Sequence, residues 1–262
     1  MNILRQNLAP ISDAAWEEIN ETSKEIFTSL LSARHFVDVD GPKGWDYGAV
    51  NKGRVNVKKE GNNLQYGINE VLPLIETRVP FKLNIWELDN AVRGAEDIDL
   101  DDLEKAAANI AEFEEKAIYY GLKDANIQGL MNESDYEKIK CPENAKDILP
   151  VVSEGINKFV DAGIEGPYGL VVSPKKWMEI SSTMQGYPLK RQLERLLGSE
   201  ILRSKYLDDA LLVSLRGGDF RLTNGIDLSV GYHSHNTKEV EMYFTETFTF
   251  EVLDPGAVIV LK

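Results

Sequence analysis

The strongest constraint on this chain lies near its C-terminal end. Between Glu239 and Val252 the side chains alternate: Val240, Met242, Phe244, Phe248, Phe250 and Val252 take one face, and Glu239, Glu241, Thr245, Thr247, Thr249 and Glu251 take the other, joined by Tyr243. A period of two marks a strand buried on one side. Glu246 is the only break in the apolar face. Asp254-Pro255-Gly256 then turns the chain, and Ala257 to Leu261 predicts a final apolar strand.

The N-terminal part reads as a helix instead. Trp16, Ile19, Ser23, Ile26/Phe27 and Leu30 recur at three- and four-residue spacing, with Ser12 as N-cap and Asp13 at the positive end of the helix dipole. Asn2 to Pro10 is short and extended. Gly41 to Val50 carries three glycines and a proline and reads as a turn. Arg54 to Lys58 and Leu64 to Ile68 alternate around the turn signal Lys59–Asn63, which predicts a two-stranded arm. The arm has little apolar material, and an isolated hairpin is marginal in water, so it needs a neighbour to lie on.

Val71 to Leu88 contains two further extended runs, LPLIETRVPF and KLNIWEL. Leu103, Ala107, Ile110, Phe113 and Ala117 predict a long helix over Leu100–Tyr120, with Asp99 as N-cap and Gly121 as its stop. An α/β region follows from Leu130 to Phe220. Its helices are expected near Ala145–Gly163, Lys175–Ser182 and Pro188–Leu197, and its strands at Tyr168–Ser173, Ile201 and Ala210–Ser214. The pattern is α+β, with no internal repeat and no obvious linker, so any subdomains are interleaved.

Of the 262 residues 43% are hydrophobic, enough for one large domain or two modest ones. A formal charge of −14 argues against wrapping nucleic acid, where phosphate neutralisation dominates. No apolar run is long enough to span a bilayer, and Met1–Pro10 lacks a secretory signal, so the expectation is a cytoplasmic protein without a membrane partner. Cys141 is a lone cysteine and reads as structural.

Catalytic and metal patterns are absent. His35, His233 and His235 form no Glu-x-x-His pair or zinc spacing. His233 and His235 could share one side of a strand, but a turn-like GYHSHN segment favours solvated rings. Glu112 and Glu115 could chelate a cation with a partner segment; the plainer reading of Glu112–Glu115 is a solvated helix face flanking Phe113. There is no GxSxG nucleophile, and the RGGD run at Arg216–Asp219 matches no phosphate loop.

Several stretches resemble encapsulin shell proteins, the family also described as linocin-like: LAPISDAAWEEI (Leu8–Ile19), FVDVDGPKGWDYGA (Phe36–Ala49), LPLIETRVPFKLNIWELDNAVRG (Leu72–Gly94), GIEGPYGLVV (Gly163–Val172), RGGDFRLTNGIDLSVGY (Arg216–Tyr232) and TETFTFEVLDPGA (Thr245–Ala257). They span essentially the whole chain. The resemblance implies the α+β tailed-phage major capsid fold, with a peripheral domain, an axial domain and an extended loop. By position these are peripheral 1–47, extended loop 48–84, peripheral 85–130 with the spine helix, axial 131–222 and peripheral 223–262.

It further implies a non-enzymatic subunit that self-assembles into an icosahedral cage, by default of the smallest class. Such a cage encloses a cargo protein, a ferritin-like protein for iron storage or a dye-decolourising peroxidase, held by its C-terminal targeting peptide. Carried over by position, the peptide groove comprises Ile26, Phe27, Leu30, Arg34, Asp38, Asp227, Leu228 and Val230; the plainer reading is that Phe27 and Leu30 anchor the helix to its own core. A five-fold pore would be lined by Met184, Gln185, Gly186 and Tyr187, with Gly186 where some relatives carry a bulkier residue. No cofactor is required. Trp86 and Arg78 resemble a flavin (FMN) neighbourhood in the family, whereas a Trp in LNIWEL reads by itself as core. The rival readings are a phage capsid protein packaging DNA and a soluble enzyme.

Overall fold

The computed structural model describes residues 3–60 and 64–262. Helix α1 (Asp13–Leu30) starts at Ser12, whose extended backbone and hydroxyl, accepting from the Ala15 N–H at 3.2 Å, satisfy a free helix end. Ala15, Ile19 and Ser23 face inward. After α1 come the short strand β1 (Asp38–Asp40) and the arm, made of β2 (Ala49–Glu60) and β3 (Leu64–Pro73). The middle of the expected turn, Gly61–Asn63, lies outside the described residues, as does Asn2.

Strand β4 (Ile75–Asn84) returns to the body and feeds α2 (Ile85–Arg93). The expectation that KLNIWEL is extended is corrected here. The Asn84 side chain accepts from the N–H groups of Trp86 and Glu87, so the chain turns helical at that point. Helix α3 (Asp101–Tyr120) follows, with Leu100 rather than Asp99 at its N-cap. A small hairpin, β5 (Gly121–Leu122) and β6 (Ile127–Gln128), closes that half.

The next stretch holds α4 (Ile148–Asp161), β7 (Tyr168–Val172), α5 (Pro174–Ser182), the two-residue strands β8 (Met184–Gln185) and β9 (Tyr187–Pro188), α6 (Leu189–Leu197), β10 (Leu202–Arg203) and β11 (Ala210–Ser214). Three long or buried strands finish the chain: β12 (Phe220–His235), β13 (Glu239–Val252) and β14 (Val258–Leu261).

Two four-stranded sheets result, ordered β1-β12-β13-β4 and β10-β7-β11-β14. In the first, β13 pairs antiparallel on both sides, with Phe244 opposite Val230 of β12 and Val79 of β4. In the second, β7, β11 and β14 are buried throughout and Val213 pairs with Val258. The final strand therefore joins the sheet of the 131–222 stretch rather than the 223–252 strands with which the sequence groups it.

Strand β12 also runs straight through the boundary placed at 222/223. Within it, Gly225 and Gly231 sit where side chains cross closely. A Cβ on Gly225 would lie 2.4 Å from Thr247 Oγ1, and one on Gly231 would lie 2.3 Å from the Tyr243 ring.

The core divides to match. One cluster gathers α4, α6 and the second sheet around Phe159, Leu170, Leu212 and Ile259. The other packs α1 and α3 on the first sheet through Ile19, Leu103, Ile110, Phe244 and Met242. Helix α3 reaches both: its last turn, Ala117–Tyr119, belongs to the first cluster.

That turn is locked from below. Leu130 and Met131 donate their N–H groups to the carbonyls of Ile118 and Tyr119. A Cβ on Gly129 would stand 2.3 Å from Gly121 N and 2.6 Å from Tyr119 O, backbone atoms that cannot move aside. Gly129→Ala is expected to lower stability by at least about 2 kcal/mol, read as the shift of a denaturant midpoint at unchanged slope.

Candidate functional site

The C-terminal half of α1 and the bulged part of β12 diverge around a cleft of about 340 Å³, whose lining includes Gln6, Asn20, Phe27, Asp227, Leu228 and Val230. Two register shifts in β12, between Asn224 and Ile226 and between Ile226 and Ser229, push this segment out of the flat ladder and create the opening. Phe27 serves both groove and core: its ring meets Phe244 edge-on at 5.3 Å. Leu228 is half-buried at the rim and Val230 lies in the core beneath.

Not every position carried over from the resemblance comes to this cleft. Ile26 packs on the core cluster, and neither it nor Leu30 lines the opening. Asp38 sits farther along β12, opposite Arg221, where its carboxylate accepts the Gly218 N–H at 2.6 Å. Seven lining residues escaped the sequence reading of the groove: Gln6, then Asn20, Ser23, Lys24 and Thr28 of α1, Ser229 of β12 and Phe244 of β13. Lys24, Ser23 and Asn20 stand three, four and seven residues before Phe27, on its side of the helix, the one signal that could have found them.

Arg34 is consumed by the protein itself. Its guanidinium grips Glu114 with two bonds, Nε–Oε1 at 2.8 Å and Nη2–Oε2 at 2.6 Å. Nη2 also donates to Glu246 Oε1 at 2.8 Å, and Nη1 to Asp227 Oδ1 at 2.9 Å. Glu114 and Glu246 are both fully buried. Burial works against the charged guanidinium, but the hydrogen bond and field of Glu114, then the fields of Glu246 and Asp227, outweigh it and hold Arg34 above its usual range. These bonds take four of the five guanidinium N–H donors. The break at Glu246 in the apolar face of β13 thus has its partner 212 residues away.

The expected solvated face at Glu112–Glu115 is likewise corrected. Glu112 pairs with Lys116 at the surface, while Glu114 and Glu115 are fully buried. Glu115 accepts from the Ala33 N–H at 2.8 Å and from the hydroxyls of Ser32 and Ser204. Burial pushes its carboxyl up to about 7; the bonds from Ser32, Ala33 and Ser204 oppose this and the charge of Glu114 adds to it. Burial raises Glu246 well above the usual range, as does Glu114, against the pull of Arg34.

The remaining candidates lie apart. Trp86 is 71% exposed on α2, against the reading of it as core, and Arg93 covers its ring at 6.0 Å. Arg78 stacks over Tyr243 and pairs with Glu76. Six residues of extended β4, about 20 Å, separate Arg78 from the start of α2, so one chain does not bring this pair together. Met184 and Tyr187 are exposed on the β8–β9 hairpin, whose tip, Gly186, has φ +72°. His233 and His235 are exposed, beside Glu241 and Tyr232. Among the described residues no cluster of His, Cys, Asp or Glu is placed to hold a metal, and no helix is long and apolar enough to cross a membrane.

A two-sheet α+β body with a long helix and a projecting arm is the architecture of the capsid-type fold. Solved structures agree on the fold: the virus-like particle of Pyrococcus furiosus superposes with a TM-score of 0.65 at 17% identity, covering 94% of this chain and 98% of that one. The capsid of Myoviridae phage XM1 gives 0.57 at 13% identity, covering 87% and 90%.

Sequence relationship narrows the class. Residues 1–249 match the family Linocin_M18, described as "Encapsulating protein for peroxidase". The type 1 encapsulin shell protein of Brevibacterium linens is 39% identical, over 97% of this chain and 96% of the relative. That of Rhodococcus erythropolis is 38% identical over the full length of both. The chain belongs to the encapsulin shell proteins, which are structural rather than enzymatic.

The buried carboxyls give a signed pH dependence. Glu115 binds its proton more tightly folded than unfolded, so folding takes up protons between pH 4.5 and about 7, and stability falls as pH rises through that window. The loss from this group is roughly 3 kcal/mol at about 1.4 kcal/mol per unit. Glu246, likewise raised by burial, adds a loss of the same sign. Denaturant unfolding between pH 5 and 8 is expected to show the decline, and Glu115→Gln to flatten it.

Proposed function

We propose that this chain closes into an icosahedral cage and holds a cargo protein inside by a C-terminal peptide seated between α1 and β12. The carrying observation is the relationship to shell proteins along the full chain at 38–39% identity, far above its 13% identity to the phage XM1 capsid. That contrast favours a cargo cage over a DNA-packaging head. The family description points to a peroxidase as cargo.

The cleft suits such a ligand. Phe27, Leu228 and Phe244 offer apolar wall, and Asn20, Ser229 and Gln6 supply polar contacts at the rim. This is the usual make-up of a groove for a short extended peptide of leucines and small residues. The β8–β9 hairpin, with exposed Met184 and Tyr187 on either side of Gly186, is the part we assign to the five-fold pore.

Electron microscopy of the purified chain is expected to show closed shells free of DNA. Co-expression with a dye-decolourising peroxidase from a type 1 encapsulin system, with and without its C-terminal tail, tests the groove. Tail-bearing enzyme is expected inside the shells at about tenfold or more over the tailless form, equivalent to about 1.4 kcal/mol. Leu228→Asp, a rim change that spares the Phe27–Phe244 contact, is expected to leave shells intact and empty. Loading that ignores the tail, or that survives Leu228→Asp, would remove the groove from the reading.

A further inference from the structure

The rim of the cleft hangs on a chain of bonds that ends at an acid no ligand can reach. Asp227, whose side chain is 49% exposed, ties the β12 bulge through Asn224 Nδ2 at 3.0 Å and the Leu228 N–H at 2.9 Å. Its third donor is Arg34 Nη1, at 2.9 Å. Nη2 of the same guanidinium is shared by two other carboxylates, Glu114 Oε2 at 2.6 Å and Glu246 Oε1 at 2.8 Å. The place of the rim therefore depends on how one base divides itself among three acids.

The charges around Glu246 do not balance. Arg34, from the turn after α1, is the one cation acting on it; Glu114 of α3 and Asp227 of β12 are further acids. Strand β4 presents Thr77, which is uncharged and donates to the backbone carbonyl of Glu246 at 3.2 Å. Glu115, beside Glu114, is taken up by Ser32, Ala33 and Ser204. With all three acids ionised the excess charge would fall on Glu114 and Glu246, both wholly out of water. Two like charges in one buried site do not ionise together cheaply.

The acceptor atoms point the same way. Glu246 Oε2 and Asn224 Oδ1 are buried acceptors without a hydrogen-bond partner among the described residues. They belong to side chains in contact, since Asn224 Nδ2 reaches Glu246 Oε1 at 3.5 Å. A proton on Glu246 supplies a donor where only acceptors stand, and Glu114 is also within hydrogen-bonding reach of it.

We propose that Glu246 is a positioning residue for the groove: protonated, it leaves Arg34 to hold Asp227, and once its proton passes to solvent the groove loses its grip on the cargo tail. This rests on the reading of the cleft as the seat of the tail and adds a control by pH. When Glu246 ionises, Arg34 is drawn to the buried pair, which has no other cation. Asp227 is the one acid of the three with access to water, so it is the one to leave. Its bonds to Asn224 and to the Leu228 N–H go with it, and the bulge relaxes. Tail binding and protonation then favour each other, so affinity falls as pH rises.

Reassembly of full-length subunits between pH 6 and 9.5 tests this, in the presence of the tail-bearing or the tailless peroxidase. Enzyme is counted per closed shell after size-exclusion chromatography and electron microscopy. For the wild type the ratio of tail-bearing to tailless loading is expected to be highest at pH 6 and to fall about tenfold by pH 9.5. Glu246→Gln has the shape of the protonated acid and cannot ionise. It is expected to keep its ratio at pH 9.5, which also shows that enzyme and tail remain competent there. Glu115→Gln removes the neighbouring buried acid outside the Arg34 network and is expected to follow the wild type. A wild-type ratio independent of pH overturns the proposal, whether or not Glu246→Gln assembles. So does a ratio that still falls in Glu246→Gln, or one that becomes flat in Glu115→Gln. A wild-type ratio of about one already at pH 6 removes the groove itself, and this role of Glu246 with it.

Discussion

One guanidinium holds three carboxylates at the centre of this molecule. Arg34 follows α1, Glu114 lies on α3, Glu246 on β13 and Asp227 on β12, so a single side chain ties four segments far apart in sequence. Taking these charges out of water costs several kcal/mol per ion, and only close, multiply bonded geometry offsets it. The bidentate grip on Glu114 and the shared Nη2 provide that geometry. Three acids on one base still leave excess negative charge, which is why burial and Glu114 favour the protonated form of Glu246.

The same atoms shape the groove. Asp227 Oδ1, besides receiving Arg34, accepts from Asn224 Nδ2 at 3.0 Å and from the Leu228 N–H at 2.9 Å. Those bonds fix the bulged path of β12 from Asn224 to Leu228, and that path places Leu228 across from Phe27. The floor beneath is Phe244 of β13, two residues from Glu246 and packed against Phe81 as well as Phe27. The cleft is thus held by a buried ionic network rather than by loop chemistry.

Local patterns in the sequence were enough to find what is decided locally. Ser12 capped α1, the alternation of β13 was read in full, and the buried strand at β7 and the short β11 fell where hydrophobic runs placed them. What escaped depended on distance or on a single atom. The length of β12 is not legible locally, because what Gly225 and Gly231 make room for, Thr247 and Tyr243, is on another strand. Asn84 turned an extended run into α2 with one side-chain oxygen. Glu114 and Glu115 read as solvent-facing because the Arg34, Ser32 and Ala33 groups that satisfy them lie about 80 residues earlier. Of the groove, Phe27, Asp227, Leu228 and Val230 came from family resemblance, while periodicity alone left Phe27 as a core residue, which it also is.

The arm shows how a subunit can be made to need its neighbours without aggregating first. Its apolar residues are divided by register between two faces, Val55 and Val57 on one and Leu64, Tyr66 and Ile68 on the other. Neither face alone offers the broad continuous patch that invites indiscriminate association. Lysines beside each column discourage edge-to-edge pairing with other arms, since like charges would meet. On a chain this acidic, the arm is the exception in charge as well as in exposure.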